Sequence, residues 1–153
     1  MTMPPLNVRP AVASEQKQLE ALQWRASLNN PGDREALMAN PDAIELPPQQ
    51  IKSGGVFVAE ADGSIIGFAA ILPRDDGDSE LDALFVEPKA WRQGVGRVLV
   101  EHCCSAARAG GATSLHVVGN PHAEGFYLAC GFETLDTKQM RFGVAFVMKR
   151  ELV

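Results

Sequence analysis

The chain has 153 residues, of which 46% are hydrophobic and 22% are charged, and its formal net charge at pH 7 is −5. This length and composition are typical of a globular protein and predict one domain that spans residues 1–153. The negative charge argues against a nonspecific nucleic-acid binder, and no run reaches the roughly 20 apolar residues that a membrane helix needs. Three cysteines, two of them adjacent, do not make a disulfide framework, and the N-terminal segment lacks a signal-peptide pattern, so we expect a cytoplasmic protein.

The first 30 residues predict a strand followed by a helix. Residues 6–12 favour a strand, and Ser14 is a suitable cap for a helix that the segment "NNPG" ends near Asn29. Apolar residues lie on two opposed sides of this helix, with Leu19, Leu22 and Ala26 on one side and Ala21, Trp24 and Leu28 on the other. One side packs on the core, so the other must contact a partner element, a second subunit or a ligand. We expect Trp24 to line a ligand cleft or a dimer contact.

Residues 33–54 predict one more helix and a long loop. Asp33 is a candidate cap for a short helix that ends near Met38. Residues 40–54 show no clear period, which predicts a loop. A loop of that length in a compact domain is often functional.

The middle of the chain predicts three strands and a helix. Two β-rich runs flank Asp62–Gly63 within residues 55–73, which predicts a hairpin. A strand follows over residues 79–86, and the glycine-containing segment after it opens a helix that ends at "AGG", residues 109–111. The apolar residues at helical spacing are Val95, Val98, Leu99, Cys103 and Ala106.

The C-terminal part predicts a strand over residues 113–119, a short helix within 121–132 that Gly131 closes, and a final strand over 142–152. The element order is βααβββαβαβ, with room for one further strand. Such an order predicts a mixed α/β fold in which helices pack on a central sheet.

The segment "WRQGVGRVLV", residues 91–100, places Gly94 and Gly96 where a strand gives way to a helix. Glycine lets an anion approach backbone N–H groups, and a helix N-terminus offers unpaired N–H groups with partial positive charge. The pattern therefore favours a phosphate group, with Arg92 and Arg97 adding positive charge. A dinucleotide-binding site is not predicted, because the G-x-G-x-x-G fingerprint is absent.

A second segment, "AEGFYLACGF" over residues 123–132, follows one helix and one strand later. Together with "LDALFVEP" and the glycine segment, it resembles the GNAT superfamily of acyl-CoA-dependent N-acetyltransferases over residues 78–133. The second segment matches the family pattern A-x-x-F-Y-x-x-x-G-F throughout. The glycine segment resembles (Q/R)-x-x-G-x-(G/A), except that Trp91 occupies the first position and Arg92 follows it.

The resemblance implies a central, mostly antiparallel mixed sheet that is flanked by helices and splayed between its fourth and fifth strands. It also implies acetyl-CoA as the acyl donor and no metal. In this family the pyrophosphate lies on the backbone amides of the glycine segment, and the splayed strand offers free backbone groups to the pantetheine arm. The implied coenzyme-binding residues are Leu84, Phe85, Val86, Arg92, Gln93, Gly94, Val95, Gly96, Arg97, Asn120 and Tyr127.

The resemblance assigns two catalytic roles. Tyr127 occupies the position of the tyrosine that donates a proton or hydrogen bond to the departing coenzyme A thiolate. Glu80 occupies the position of a glutamate that acts as the general base in several members. Asp82 points to the same face of the predicted strand as Glu80, and both Asp82 and a water relay remain alternatives.

Other reactive side chains do not form a recognisable site in the sequence. His102, Cys103 and Cys104 are adjacent on a predicted helix and point in different directions, so we predict no metal site. We expect Cys130 and His116 to be structural, because each lies in an element that is predicted to be buried.

Two functions of different classes remain open at this point. The first is an N-acetyltransferase that moves acetyl from acetyl-CoA to a primary amine by direct attack in a ternary complex. The second is a non-catalytic acyl-CoA-binding sensor or assembly module. The expected partner is a small-molecule or peptide amine and neither a nucleic acid nor a membrane, and a homodimer stays open.

Overall fold

The computed structural model describes residues 5–30, 33–140 and 143–152, which form a seven-stranded sheet with helices packed on it. The strands in this part of the chain are β1 (Asn7–Pro10), β2 (Val56–Ala61), β3 (Ser64–Pro73), β4 (Ser79–Val86), β5 (Ser114–Gly119), β6 (Glu133–Met140) and β7 (Gly143–Glu151). The α-helices are α1 (Gln16–Leu28), α2 (Asp33–Ala39), α3 (Pro48–Lys52), α4 (Val95–Ala109) and α5 (Glu124–Ala129). The strand order is β1-β2-β3-β4-β5-β7-β6, and every described pair is antiparallel except β4 with β5.

The predicted hairpin is confirmed. β2 and β3 are antiparallel and meet at Asp62–Gly63, whose φ angles are 51° and 77°. A two-residue turn with positive φ at both positions matches the twist of the flanking strands, which is why an Asp–Gly pair suits it.

The core lies on both faces of the sheet. On one face, α1 buries Leu19 and Leu22 against Phe68 of β3, as the apolar stripe predicted. On the other face, α4 buries Leu99 and Cys103 over the centre of the sheet. Trp24 is half-buried on the other side of α1.

The sheet opens between β4 and β5, as the resemblance implied. The two strands pair only through Ser79–Leu115, Glu80–His116 and Leu81–Val117. The remaining residues of β4, from Asp82 to Val86, have no partner on β5, so the strands diverge toward the glycine turn. We call this opening the split.

The closed end of the split is held by one carboxylate. Oδ1 of Asp78 accepts hydrogen bonds from the backbone N–H groups of Thr113 (3.0 Å) and Ser114 (3.1 Å). Its Oδ2 lies 3.0 Å from Nε2 of His116. These contacts join the start of β4 to the start of β5.

Some predicted elements need correction. Ser14 does not cap α1, because a 3₁₀ turn over Ala13–Glu15 precedes the helix and the Glu15 carboxylate accepts the Val12 N–H instead. The loop predicted over residues 40–54 contains α3. The further strand left open by the element order exists as β6, an edge strand that pairs only with β7.

Two predicted features fall where nothing is described. The predicted end of the first helix includes Pro31–Gly32, which lie outside the described residues. The final predicted strand begins at Phe142, which also lies outside them.

Within the described residues, no helix is long and apolar enough to cross a membrane.

Candidate active site

The glycine segment forms the turn between β4 and α4. Arg92 and Gly94 have positive φ angles of 63° and 88°. Glycine adopts this conformation at little cost, so Gly94 is required by the backbone of the turn itself. α4 begins immediately afterwards, and the N–H groups of its first turn lack carbonyl partners within the helix. The turn therefore presents backbone donors and the positive end of a helix, an arrangement that binds anions.

Gly96 has a different reason to be glycine. A β-carbon at this position would lie 3.1 Å from Cζ of Phe126, which projects from α5. The absence of a side chain thus lets the Phe126 ring pack directly on the first turn of α4. The two glycines of the motif are separable: Gly94 shapes the turn, and Gly96 allows a close approach.

A cavity of about 480 Å³ adjoins this turn, and we call it the first cavity. It brings together most of the predicted coenzyme-binding residues, namely Leu84, Phe85, Val86, Arg92, Gly94, Val95, Gly96, Arg97 and Tyr127. Among the described residues, two arginines and no carboxylate line it. Gln93 is exposed and is not part of this lining.

β4 forms one wall of the first cavity with its unpaired edge. Because the Glu87 N–H bonds to Ile66 of β3, the alternation of an antiparallel ladder turns the backbone groups of Leu84 and Val86 into the split. The Val86 carbonyl is already occupied, since it accepts a hydrogen bond from Nε1 of Trp91 at 2.7 Å. This contact is a structural use for the tryptophan that departs from the family pattern.

Tyr127 stands between the two sides of the site. Its ring packs over Gly119 at the end of β5, where a β-carbon would lie 3.0 Å from Cε2 of the ring. The residue is only 8% exposed, yet its hydroxyl has no hydrogen-bond partner among the described residues. No fully buried side-chain oxygen or nitrogen there is unsatisfied, so the hydroxyl must reach open space. Burial raises the pKa of Tyr127, which keeps the phenol protonated at neutral pH.

A second cavity of about 190 Å³ lies within the split and shares Leu84, Phe85 and Tyr127 with the first cavity. Its polar side chains differ in kind from those of the first cavity. Asp82 lines it from β4, and Asn120 and His122 line it from the segment after β5. Among the described residues, no lysine or arginine lines it.

Asp82 lies at an irregular position of β4. The register with β3 shifts there, because Leu81 pairs with Ile71 while Ala83 pairs with Ala70, so Asp82 is the extra residue of a β-bulge. Bulges redirect side chains and are common beside active sites. The Asp82 carboxylate accepts a hydrogen bond from Nε2 of Gln50 on α3 at 2.9 Å, which fixes its orientation.

A second carboxylate, that of Asp33 at the start of α2, is not part of the lining of the second cavity but contacts two of the lining residues, a position that we call the rim. Its Oδ2 accepts a hydrogen bond from the Asn120 amide at 3.3 Å and lies 3.8 Å from Nε2 of His122. Burial raises the pKa of Asp33, and the nearby His122 opposes that rise. Asn120, predicted to contact the coenzyme, therefore lines the second cavity and contacts Asp33, and it is absent from the lining of the first.

Glu80, the predicted base, lies apart from Tyr127. Its carboxylate is 3.9 Å from Nη1 of Arg74. Glu80 lines a surface depression together with residues 73–76, whereas neither cavity includes it. Glu80 and Asp82 are two residues apart and would share a face of a regular strand. Glu80, however, still pairs with His116 of β5, whereas Asp82 is the first residue of β4 without a partner on β5. The structure thus brings Tyr127 together with Asp82 rather than with Glu80.

Sequence reasoning did not find Gln50, the partner of Asp82, and treated Asp33 only as a helix cap. Gln50 belongs to a helix of five residues, too short to give a periodic pattern. The one available signal was the unusual length of the predicted loop. Trp24, expected at a ligand cleft or dimer contact, lines neither cavity.

A split sheet with a glycine turn at a helix N-terminus and a tyrosine between two cavities is the arrangement that the resemblance to acyltransferases implied. The sequence model of the acetyltransferase (GNAT) family matches residues 17–132. This match covers most of the chain, so the protein belongs to the GNAT family and is an acyltransferase.

Two relatives illustrate the similarity in sequence. The peptidyl-lysine N-acetyltransferase YjaB of Salmonella typhimurium is 30% identical over 129 residues, which cover 84% of this chain and 83% of that protein. An uncharacterised N-acetyltransferase of Mycobacterium tuberculosis is 31% identical over 105 residues, 64% of this chain and 67% of the relative.

Solved structures support the fold. A GCN5-related N-acetyltransferase from Rhodopseudomonas palustris superposes with a TM-score of 0.79 at 21% identity, covering 99% of this chain and 98% of that chain. The PaiA N-acetyltransferase of Thermoplasma acidophilum, solved in complex with coenzyme A, gives a TM-score of 0.77 at 17% identity, covering 96% and 99%.

Proposed function

We propose that this enzyme transfers acetyl from acetyl-CoA to a primary amine by direct attack within a ternary complex. The observation that carries the proposal is Tyr127, which lines both a basic cavity and an acidic one and whose hydroxyl is unpartnered among the described residues. The first cavity suits a polyphosphate-bearing donor, and the second suits a cationic acceptor.

The donor side follows from the glycine turn and the open edge of β4. The pyrophosphate lies on the N–H groups of the first turn of α4, with Arg92 and Arg97 supplying charge. The pantetheine arm extends along β4 as an added strand and uses the backbone groups of Leu84 and the N–H of Val86. This places the thioester near Tyr127, at the junction of the cavities.

The chemical step removes two protons from the acceptor nitrogen, one before it attacks and one as the amide forms, and supplies one proton to the leaving thiolate. An ammonium ion has no lone pair, so the acceptor must lose a proton before its nitrogen attacks the thioester carbonyl. The carbon–nitrogen bond forms, the carbon–sulfur bond breaks, and the thiolate takes a proton from the Tyr127 hydroxyl. The nitrogen then gives up its second proton, which restores the phenol of Tyr127, so that the products are the neutral amide and the coenzyme A thiol. The raised pKa of Tyr127 keeps that proton in place until the thiolate leaves.

Two carboxylates of β4 are candidates for removing the first proton. Asp82 lines the second cavity and is oriented by Gln50, so we assign it the direct role. Glu80 remains a candidate only through a chain of waters, because its carboxylate lies beside Arg74. The relative named as a peptidyl-lysine acetyltransferase makes the side-chain amine of a peptide lysine one acceptor to test.

The test replaces Tyr127 with phenylalanine, which removes one hydroxyl and keeps the ring. Release of coenzyme A thiol is followed with a panel of amines that includes a peptide lysine, for the wild type and for Tyr127→Phe. We expect kcat to fall by about 10²–10⁴-fold. Acetyl-CoA affinity, measured by calorimetry, and thermal stability should both persist.

Two outcomes contradict the proposal. Undiminished turnover in a folded Tyr127→Phe variant removes the tyrosine from the mechanism. Tight acetyl-CoA binding without acceleration by any amine contradicts transfer to amines and favours a hydroxyl acceptor or a binding role.

A further inference from the structure

The two cavities that meet at Tyr127 have opposite charge. Two arginines line the first cavity, while Asp82 lines the second and Asp33 lies at the rim of the second. If a single ammonium group were the only cation to be bound, Asp82 beside Tyr127 would be sufficient. Asp33 is therefore a carboxylate that the chemical step does not use.

The charge of Asp33 is compensated only in part, by amide groups and by the imidazole of His122. The polar groups around it are the amides of Asn30 and Asn120 and the imidazole of His122, and all three residues line the second cavity. Many other carboxylates pair with arginine, for example Glu15 with Arg9 at 2.6 Å. Among the described residues, no lysine or arginine forms an ion pair with Asp33.

Partial burial of Asp33 is a second reason why its anionic form is disfavoured. Partial removal from water raises the pKa of Asp33, which means that the surroundings disfavour its anionic form. A cation arriving from the second cavity would relieve that cost. Tyr127 supplies an independent sign that a ligand belongs here, because this residue lines the second cavity, is only 8% exposed and has a hydroxyl without a partner among the described residues.

We propose that Asp33 is a specificity residue that binds a second positive charge on the acceptor, so that the preferred substrate is an amine carrying another ammonium group a few carbons away. This rests on the proposed acetyl transfer and names its substrate class. One nitrogen reaches the thioester beside Tyr127 and loses its proton to Asp82. The other stays protonated and binds Asp33 at the rim, between Asn120 and His122.

Three amines of matched length test the proposal, with saturating acetyl-CoA: 1,4-diaminobutane, butylamine and 4-aminobutanoate. They share the reacting group and differ only in the far end, which is cationic, apolar or anionic. For the wild type we expect kcat/KM to fall in that order, with about a tenfold difference between the first two. An equal or higher value for 4-aminobutanoate overturns the proposal.

Asp33→Asn keeps an oxygen for the Asn120 amide and removes the charge. It should raise KM for 1,4-diaminobutane about tenfold, leave kcat near its wild-type value and leave the KM of butylamine unchanged. Glu35→Gln is the matched control, since Glu35 lies on the same helix, is exposed and lines neither cavity. An equal loss with butylamine and the diamine, or the same loss in Glu35→Gln, overturns the proposal.

Failure of acetyl transfer would be recognised separately. If acetyl-CoA binds but no amine is acetylated, calorimetric titration of 1,4-diaminobutane into the coenzyme A complex decides the cation site. Binding to the wild type that is lost in Asp33→Asn supports the site. The proposal is overturned if the wild type does not bind the diamine, or if the wild type and Asp33→Asn bind it equally well. If Asp33→Asn does not fold, the wild-type order of the three amines decides alone.

Discussion

The two cavities that meet at Tyr127 are built in different ways. The first consists mainly of three continuous segments: the end of β4, the glycine turn with the start of α4, and α5. The second takes its polar groups, directly or through hydrogen bonds, from α2, α3, β4 and the segment after β5. Backbone N–H groups dominate one side, and side-chain carboxylates and amides dominate the other.

This difference matches what each cavity is proposed to recognise. A coenzyme pyrophosphate is the same in every enzyme that uses it, and backbone donors fixed by a local turn can bind it regardless of the rest of the chain. An acceptor differs between enzymes, so its site depends on side chains that vary independently. Substitutions should therefore separate donor affinity from acceptor use, and three of them test that separation.

The largest expected effect belongs to Gly94→Val. A β-branched residue at a φ of 88° is strained by about 1–3 kcal/mol, which the free protein relieves by changing the turn. Coenzyme binding must then restore the turn, so Kd for acetyl-CoA should rise about 10–100-fold by calorimetry. The control is the same substitution, glycine to valine, at another glycine with a positive φ angle.

That control is Gly63→Val in the β2–β3 hairpin. Gly63 has a similar φ of 77°, and, as at Gly94, a β-carbon there would meet nothing within 4 Å. It should lower the melting temperature and leave acetyl-CoA affinity unchanged. If Gly94→Val folds and binds acetyl-CoA as the wild type does, the turn does not hold the pyrophosphate.

An intermediate effect is expected for Gln50→Ala on the acceptor side. The change removes the 2.9 Å hydrogen bond that orients Asp82, worth about 1 kcal/mol, so kcat/KM for the amine should fall about fivefold. Acetyl-CoA affinity should stay constant, because Gln50 lines neither cavity. Gln49→Ala, an exposed neighbour on α3, is the control; a parallel loss in both variants would mean that α3 as a whole, rather than the Gln50 amide, is responsible.

The contrast between the cavities also explains what could be predicted from the sequence. Gly94, Gly96 and Tyr127 lie in contiguous motifs that carry the resemblance to the GNAT family, and that resemblance, rather than the spacing itself, predicted the split sheet and the residues around the first cavity. Asp33 and Gln50 reach the site only through tertiary packing, and neither has a local pattern that marks it. The side chain of Trp91 shows the same limit, because its bond to Val86 depends on the shape of the turn.

The smallest effect on either cavity is expected for Asp78→Asn, at the closed end of the split. Hydrogen bonding to His116 is the main cause that lowers the pKa of Asp78, with backbone donors of Thr113 and Ser114 adding to it. A carboxyl group whose pKa is lower in the folded state stabilises that state above its unfolded pKa of about 4. This stabilisation is lost as the pH falls toward the folded pKa.

The variant should therefore melt below the wild type at neutral pH, with a gap that is constant above about pH 5 and shrinks as the pH falls further. Asp75→Asn, an exposed change of equal charge in the same loop, should show no such gap. Acetyl-CoA affinity should be unchanged, because Asp78 lines neither cavity. A gap that stays constant down to pH 2 would show that the carboxylate charge does not stabilise the closed end. A loss of coenzyme affinity would instead show that the closed end sets the width of the split, and that the two cavities are coupled through the β4–β5 pairing.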